Sequence, residues 1–312
     1  MPCIVALIVF GILGIFSASH RALAREAFDC VFRRITFRPC NTGFQEKIKG
    51  KILSRLINRS TWLTKVVNKN YELLAWIFFI LMVGSTFWIL RGGYNFYVYG
   101  SCNGLNESGF CAFDPSGENN KISTSENGLA CGITQINESN LTLNNVDLSY
   151  FPSKNMEYKN NFVFVGCYAC DYSRKVYPEI TKLLEDKKVN YTFAHYPVKG
   201  HTEFLSNIGY CVYENYEEKF WEFNDYLFTA DKDYVINKSN TNEILNKFDF
   251  DVDIINQCVG SEKTNLIVAK QIEELNKTNI YGTPTIFINN KPFVGPKPLR
   301  VYKSAINKFI FF

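Results

Sequence analysis

An uncharged run of 18 residues, Leu73 to Leu90, constrains this chain more than any other feature of its sequence. As an α-helix the run would be about 27 Å long, close to the roughly 30 Å hydrocarbon core of a bilayer. Trp76 and Trp88 lie near its ends, where membrane helices carry their aromatic belts. No polar face interrupts the run, whereas most helices of soluble proteins have one. We therefore predict a transmembrane helix over about 73–90, with a buried helix of a soluble domain as the alternative.

A second uncharged run, Cys3 to Ser17, predicts another span over about 3–18. Between the two runs, residues 19–71 contain twelve Lys and Arg but three Asp and Glu. Loops with such a basic excess stay in the cytoplasm, so the chain after Leu90 is expected outside it. This predicts a two-span membrane anchor over 1–94 in the cell membrane. A cleaved signal peptide is the alternative, although the basic start of such a peptide is missing.

The basic loop also has apolar residues at a helical spacing, namely Phe44, Ile48, Ile52 and Leu56. A basic amphipathic helix of this kind can lie on the anionic lipids of the inner leaflet. A small cytoplasmic helical hairpin explains the same pattern, so both interpretations stay open.

Residues 95–155 are rich in Asn, Ser and Gly, which predicts an extracytoplasmic spacer. The whole chain is 46% hydrophobic and 21% charged, an average globular composition that excludes wholesale disorder. Its net charge of +4 does not indicate a nucleic-acid partner. Sequons on the expected outer side are consistent with glycosylation. They begin at Asn106, Asn137, Asn140, Asn190, Asn237 and Asn276.

Residues 156–312 contain the motif with the clearest chemistry. The apolar run 161–166 predicts a buried strand, and Cys167-Tyr-Ala-Cys170 follows it at the start of a helical segment. A helix N-terminus stabilises a thiolate, and the spacing lets the two sulfurs close a disulfide. We expect Cys167, as the more exposed cysteine, to make the attack. A zinc half-site is disfavoured by a count of three histidines and no second Cys-x-x-Cys, and an inert disulfide is the remaining alternative.

The following segments predict the order strand, helices, strand. Residues 190–196 have a strand pattern, and a long helical pattern covers about 202–278. Thr283-Pro284 then opens a second apolar run. Proline is unusual at such a place, so we predict a cis peptide bond that faces the Cys-x-x-Cys motif, against a trans proline in an ordinary turn.

Together these segments resemble the DsbA family of thioredoxin-fold oxidoreductases, in its membrane-anchored prokaryotic, archaeal-type form. The resemblance covers residues about 160–308. It is carried by FVFVGCYAC, by HYPVKGH at 195–201, by KFWEFNDYLF at 219–228 and by GTPTIFINNKPFVGPKPL at 282–299. It implies an α/β thioredoxin fold with a helical insertion, here preceded by two transmembrane helices.

The resemblance also implies roles for individual residues. Cys167 would be the nucleophile, Cys170 the resolving thiol, and Thr283 and Pro284 the loop that contacts substrate. The Tyr-Ala pair between the cysteines differs from the Pro-His pair of the best-known members, which leaves the redox potential open. The family would need no cofactor and no metal.

The remaining cysteines allow several pairings. A structural disulfide between Cys211 and Cys258 is plausible, as in some relatives, and two free buried cysteines are the alternative. Pairing among Cys3, Cys102, Cys111 and Cys131 stays open. Cys30 and Cys40 should stay reduced in a cytoplasmic loop. The histidines His195 and His201 are expected to be structural.

These observations predict a membrane-anchored thiol:disulfide oxidoreductase that introduces disulfides into extracytoplasmic proteins. Its expected partners are reduced substrate proteins, membrane lipid and a quinone-coupled membrane thiol oxidase that removes the electrons. A disulfide isomerase or reductase would use the same thiols. An adaptor or chaperone of the thioredoxin fold that binds extended peptides is the alternative outside enzymes.

Overall fold

The computed structural model describes residues 2–36, 38, 43–58, 60–107, 109–124, 141–199 and 201–307. The chain forms two compact units, Met1–Leu90 and Arg91–Phe312. The second unit therefore includes the described part of the predicted spacer as well as the predicted catalytic domain.

Helices make up the regular structure of the first unit. They are α1 (Pro2–Phe16), α2 (Ala18–Ile35), α3 (Gly43–Ile57), α4 (Thr61–Lys69) and α5 (Tyr71–Tyr99), whose last turns belong to the second unit. Among the described residues, α5 is the one helix that is both long and apolar enough to cross a membrane.

The predicted first span has a different local structure. α1 contains 15 residues and ends at Phe16, and α2 begins after Ser17 and packs back against it. The Arg21 side chain donates a hydrogen bond of 2.7 Å to the Gly14 carbonyl, which closes the hairpin. A helix of 15 residues is about 22 Å long, shorter than a hydrocarbon core. The two-span anchor therefore stays a prediction, while the α5 span has the required length.

Cys30 departs from its predicted state. It is disulfide-bonded, with a partner whose side chain lies outside the described part of the chain. The prediction that it stays reduced is therefore wrong for this structure, and the prediction for Cys40 falls outside the described residues. Cys30 is buried with Ala27 and Ile48, so the predicted apolar stripe of α3 packs partly inside the unit.

The second unit is built on a five-stranded mixed sheet in the order β1-β3-β2-β4-β5. The strands are β1 (Ser153–Lys154), β2 (Asn161–Gly166), β3 (Asn190–His195), β4 (Thr285–Ile288) and β5 (Lys291–Val294). β2 and β3 are parallel, whereas the other neighbouring pairs are antiparallel. The strands predicted at 161–166 and 190–196 are confirmed.

Both faces of the central strand β2 are covered. Phe162 and Phe164 belong to one hydrophobic cluster, and Val163 and Val165 belong to a second cluster that also contains the two site cysteines. Alternation along a strand sends successive side chains to opposite faces, so the continuous apolar run fills two layers of core.

The predicted helical insertion is present between β3 and β4. It comprises α7 (Glu203–Asn215), α8 (Glu217–Thr229), α9 (Lys232–Ile236), α10 (Thr241–Lys247), α11 (Val252–Val259) and α12 (Glu262–Lys277). A separate helix, α6 (Asp171–Asp186), connects β2 to β3. The last helix is α13 (Leu299–Ile306).

Two disulfides lie among the described residues of the second unit. Cys211 of α7 is bonded to Cys258 of α11 with a Cα separation of 5.9 Å, as predicted. Cys102 is bonded to Cys111, which decides one pairing that the sequence left open. Cys131 lies outside the described residues.

The predicted spacer is part of the folded unit where the structure describes it. The Arg300 guanidinium donates hydrogen bonds to the carbonyls of Phe96 and Tyr97 at the end of α5. Asn106 is 5% exposed and bonds through its amide to the backbone of β5. The side-chain amide of this sequon is therefore buried and hydrogen-bonded within the unit. Asn137 and Asn140 lie outside the described residues.

Candidate active site

The Cys-x-x-Cys motif lies in a tight turn between β2 and α6. The Cys170 N–H donates to the Cys167 carbonyl at 3.0 Å, and Cys170 is the N-cap residue of α6. Its Sγ accepts a hydrogen bond of 3.3 Å from the Ser173 N–H, one of the donors that a helix start leaves without a backbone partner. Both cysteines are free thiols, so the motif is present in its reduced form.

The second predicted element of the site is next to the thiols. The Thr283-Pro284 peptide bond is cis, as predicted, and β4 begins at the following residue. The Cys170 thiol donates to the Thr283 carbonyl at 3.3 Å. Two segments separated by more than a hundred residues therefore meet at one end of the central strands.

Both thiols are covered, which differs from the expectation that Cys167 is exposed. Each cysteine is 0% exposed. The Cys167 Sγ lies 3.8 Å from the Lys199 carbonyl and 3.7 Å from the Thr202 hydroxyl, because the loop after β3 folds over it. This burial raises the pKa of the Cys167 thiol. The Ser173 N–H of the helix start is directed at Cys170, and the hydrogen bonds at Cys167 lower its pKa less than burial raises it.

Tyr168 fixes the turn to the core. Its hydroxyl donates to the Asn224 side chain at 2.8 Å, and its ring is 4.5 Å from that of His195. Asn224 in turn donates to the Tyr177 hydroxyl at 3.0 Å. The sequence analysis missed this network, although a polar residue within the apolar pattern of α8 could have indicated it.

The two histidines of this unit differ in role. His195 bonds through Nδ1 to the Ser206 hydroxyl at 2.8 Å, and its buried Nε2 has no hydrogen-bond partner among the described residues. Desolvation lowers its pKa to about 3, so the ring is neutral at physiological pH and structural, as expected. His201 is exposed, and the structure gives it no packing role. In the described parts of the chain, no three His, Cys, Asp or Glu side chains cluster as a metal site.

Ser123 is a further neighbour of the thiols that the sequence analysis missed. Its hydroxyl lies 3.3 Å from the Cys170 Sγ, within hydrogen-bonding distance. Its backbone forms an antiparallel bridge with Thr283. No local sequence signal marks this residue, because it lies in the polar segment 95–155 that the sequence analysis interpreted as a spacer.

The match to a family model agrees with the fold described above. The family model for thioredoxin matches residues 159–308. Among solved structures, the thiol-disulfide exchange protein alpha-DsbA2 from Wolbachia pipientis is 19% identical, with a TM-score of 0.47 over 59% of this chain and 97% of that one. BdbD from Bacillus subtilis is 19% identical, with a TM-score of 0.45 over 52% of this chain and 94% of that one.

A thioredoxin-like oxidoreductase from Silicibacter pomeroyi is 16% identical, with a TM-score of 0.46 over 51% of this chain and 92% of that one. No curated protein matches the chain. The family match coincides with the mixed sheet, the Cys-x-x-Cys turn and the proline loop described above. Residues 159–308 therefore form a thioredoxin-like domain with an inserted set of helices.

Proposed function

We propose that this chain is a membrane-anchored thiol:disulfide oxidoreductase that introduces disulfides into extracytoplasmic proteins. The observation that carries the proposal is the pair of free thiols at the start of α6 beside the Thr283 carbonyl. A pair of thiols three positions apart can cycle between dithiol and disulfide with little movement of the chain.

The geometry supports an order of events. In the oxidised form, a substrate thiolate would attack the Cys167 sulfur, forming a mixed disulfide and releasing Cys170 as a thiolate. The Ser173 N–H lies 3.3 Å from that sulfur and stabilises its negative charge. A second substrate thiolate then attacks the substrate sulfur of the mixed disulfide and releases Cys167. The substrate loses two electrons and two protons, and the dithiol seen here is the product.

The membrane part of the proposal rests on α5. This helix has 29 residues and a long apolar stretch, which supports an anchor for the thioredoxin-like domain. The basic residues in 19–71 support a cytoplasmic position for that segment and an outer position for the dithiol. A quinone-coupled thiol oxidase in the same membrane would accept the two electrons from the dithiol and restore the disulfide.

Covalent trapping tests the proposed chemistry. In a Cys170→Ala variant, Cys167 can attack a substrate disulfide and should then stay attached to the substrate, because the neighbouring thiol that would release it is gone. Non-reducing gels of cells that express the variant should show adducts of high mass. The matched Cys167→Ala, Cys170→Ala variant should show none. Absence of adducts from the single variant would instead favour a peptide-binding adaptor without exchange activity.

Oxidation must also be separated from reduction and isomerisation. Oxidative refolding of a reduced substrate should be faster with the oxidised chain, whereas insulin reduction should be slow. If the chain accelerates the refolding of a scrambled substrate more than the oxidative refolding of a reduced substrate, it acts as an isomerase.

A further inference from the structure

Residues 118–124, which we call the strap, contact the dithiol site. They run across the thioredoxin-like domain within the second unit, far in sequence from the loop that they contact. The strap begins with a 3-10 turn, Glu118–Asn120, and reaches the dithiol at Ser123.

The strap pairs with the site through its backbone. The Ser123 N–H donates to the Thr283 carbonyl at 2.8 Å, and the Thr283 N–H donates to the Ser123 carbonyl at 2.9 Å. These two bonds are those of an added antiparallel strand. They occupy both backbone groups of the residue that precedes Pro284, so no other chain can pair there while the strap is in place.

The approach of the strap is close and specific. A Cβ atom at Gly282 would lie 2.6 Å from the Ser123 carbonyl oxygen and 2.7 Å from the Ile122 side chain. Only glycine therefore leaves room for a strand at this distance. Ile122 is half-buried against the hydrophobic cluster that holds the thiols. The site thus accepts the apolar side chain of Ile122 next to Ser123, whose own side chain faces Cys170.

The remaining contacts of the strap are polar. Glu118 forms an ion pair of 2.9 Å with Lys175, and both side chains are partly exposed. The buried Lys297 donates a hydrogen bond to the Asn120 side chain, which holds the start of the strap in place. Displacement therefore concerns the end of the strap, where Ile122 and Ser123 contact the site.

We propose that the strap occupies the site of an extended substrate polypeptide and must be displaced before such a peptide can bind. This inference rests on the proposed function for the identity of the peptide as substrate. A substrate segment in the same register would form the same two bonds to Thr283, and its residue in place of Ser123 would direct its side chain at the dithiol. A cysteine there would bring its sulfur to the site of exchange. Strand addition at a sheet edge is a general mode of peptide recognition.

The first test concerns the position of the strap and needs no exchange activity. In the full chain, a Ser123→Cys, Cys167→Ala variant is oxidised with copper phenanthroline and mapped by mass spectrometry. We expect a disulfide between position 123 and Cys170, since the serine oxygen lies 3.3 Å from that sulfur. A Ser149→Cys, Cys167→Ala variant, altered at an exposed residue outside the strap, should not form a link to Cys170. Failure of the first variant to link would overturn the proposal.

The second test concerns competition. The probe is a fluorescent peptide with the sequence of residues 118–124, ENNKIST, followed by anisotropy on the full chain in detergent. A Ser123→Pro variant loses the N–H that bonds to Thr283, so the peptide should bind it at least about fivefold more tightly than the unaltered chain. The same peptide with proline in place of its serine should not bind. Ser123→Ala, which keeps both backbone bonds, should behave as the unaltered chain.

If Ser123→Pro misfolds, an Ile122→Ser variant serves as the second test, because it removes the apolar contact between the strap and the hydrophobic cluster without changing the backbone. Equal peptide affinity for all variants would show that the strap is a fixed part of the fold and would refute displacement. If the peptide results hold but no variant oxidises or reduces a substrate, the strap stands and the proposed function fails.

Discussion

The Cys211–Cys258 disulfide allows a quantitative test of how this domain is stabilised. It closes a loop with a sequence separation of 47 residues, whereas Cys102–Cys111 closes one of 9. In the chain-entropy account, these loops stabilise the folded state by about 4 and about 2.5 kcal/mol. The two values differ by about 1.5 kcal/mol. The constant part of the chain-entropy relation cancels in this difference, which depends only on the ratio of the two loop lengths.

The experiment compares two double variants, Cys211→Ser with Cys258→Ser, and Cys102→Ser with Cys111→Ser. Thr264 Oγ1 lies 3.5 Å from both sulfurs of the longer bridge, so the introduced hydroxyls retain a hydrogen-bonding partner. Urea unfolding of the full chain in detergent, read by pulse proteolysis, gives the loss of unfolding free energy for each. The first variant should lose more. Equal losses, or a larger loss at the short loop, would refute the entropic explanation.

Three further predictions concern redox, topology and pH. Equilibration with glutathione should give a potential between roughly −120 and −270 mV, and a value below thioredoxin's would make the chain a reductase. In a background without Cys167 and Cys170, an impermeant maleimide should label Ser149→Cys but not Ser54→Cys on intact cells, and labelling of both would place the basic segment outside. Because the pKa of His195 is depressed to about 3, its contribution to stability is present above the ordinary value of about 6.5. Stability should then be lost as pH falls from there toward 3, by at most about 1.4 kcal/mol per unit, and His195→Gln should flatten that slope.

The topology prediction bears on a conflict between two observations. The excess of basic residues in 19–71 favours the cytoplasm, where disulfides are rare. Cys30 within this segment is nevertheless disulfide-bonded. The two observations favour opposite sides of the membrane, and the labelling of Ser54→Cys decides between them without depending on the oxidation state of Cys30.

The elements of the thioredoxin-like domain could be predicted because their signals are local. The strand 161–166 is buried on both faces. Such a strand appears in the sequence as a continuous apolar run, which can be recognised without any other part of the chain. The proline at 284 was informative because it stands at the start of a strand, where its missing N–H costs no ladder bond. The pairing of Cys211 with Cys258 followed from a family resemblance, since neither spacing nor burial distinguishes it in the sequence.

The cover over the thiols could not be predicted, because it depends on contacts between distant segments. Ser123 and Thr283 are 160 residues apart, and a single serine in an Asn-rich stretch carries no pattern. Thr202 covers Cys167 only because the chain turns back after β3. The reversal of the chain after α1 was not predicted for a related reason. Hydropathy continues to Ser17, but the chain reverses there and pairs α1 with a charged helix.

The environment of the two sulfurs explains why opening of the site should control its reactivity. When the dithiol is reoxidised, Cys167 must attack as a thiolate, and its burial raises its pKa and so disfavours that form. Tyr168 is anchored to Asn224 in the core and brings no charge that could offset this burial. Hydrogen bonds at Cys167 lower its pKa less than burial raises it, so movement of the loop bearing Thr202 would favour the thiolate by admitting water. Substrate binding at Thr283 would displace the strap that covers Cys170, so the covers of both sulfurs would have to move before a disulfide can pass between the proteins.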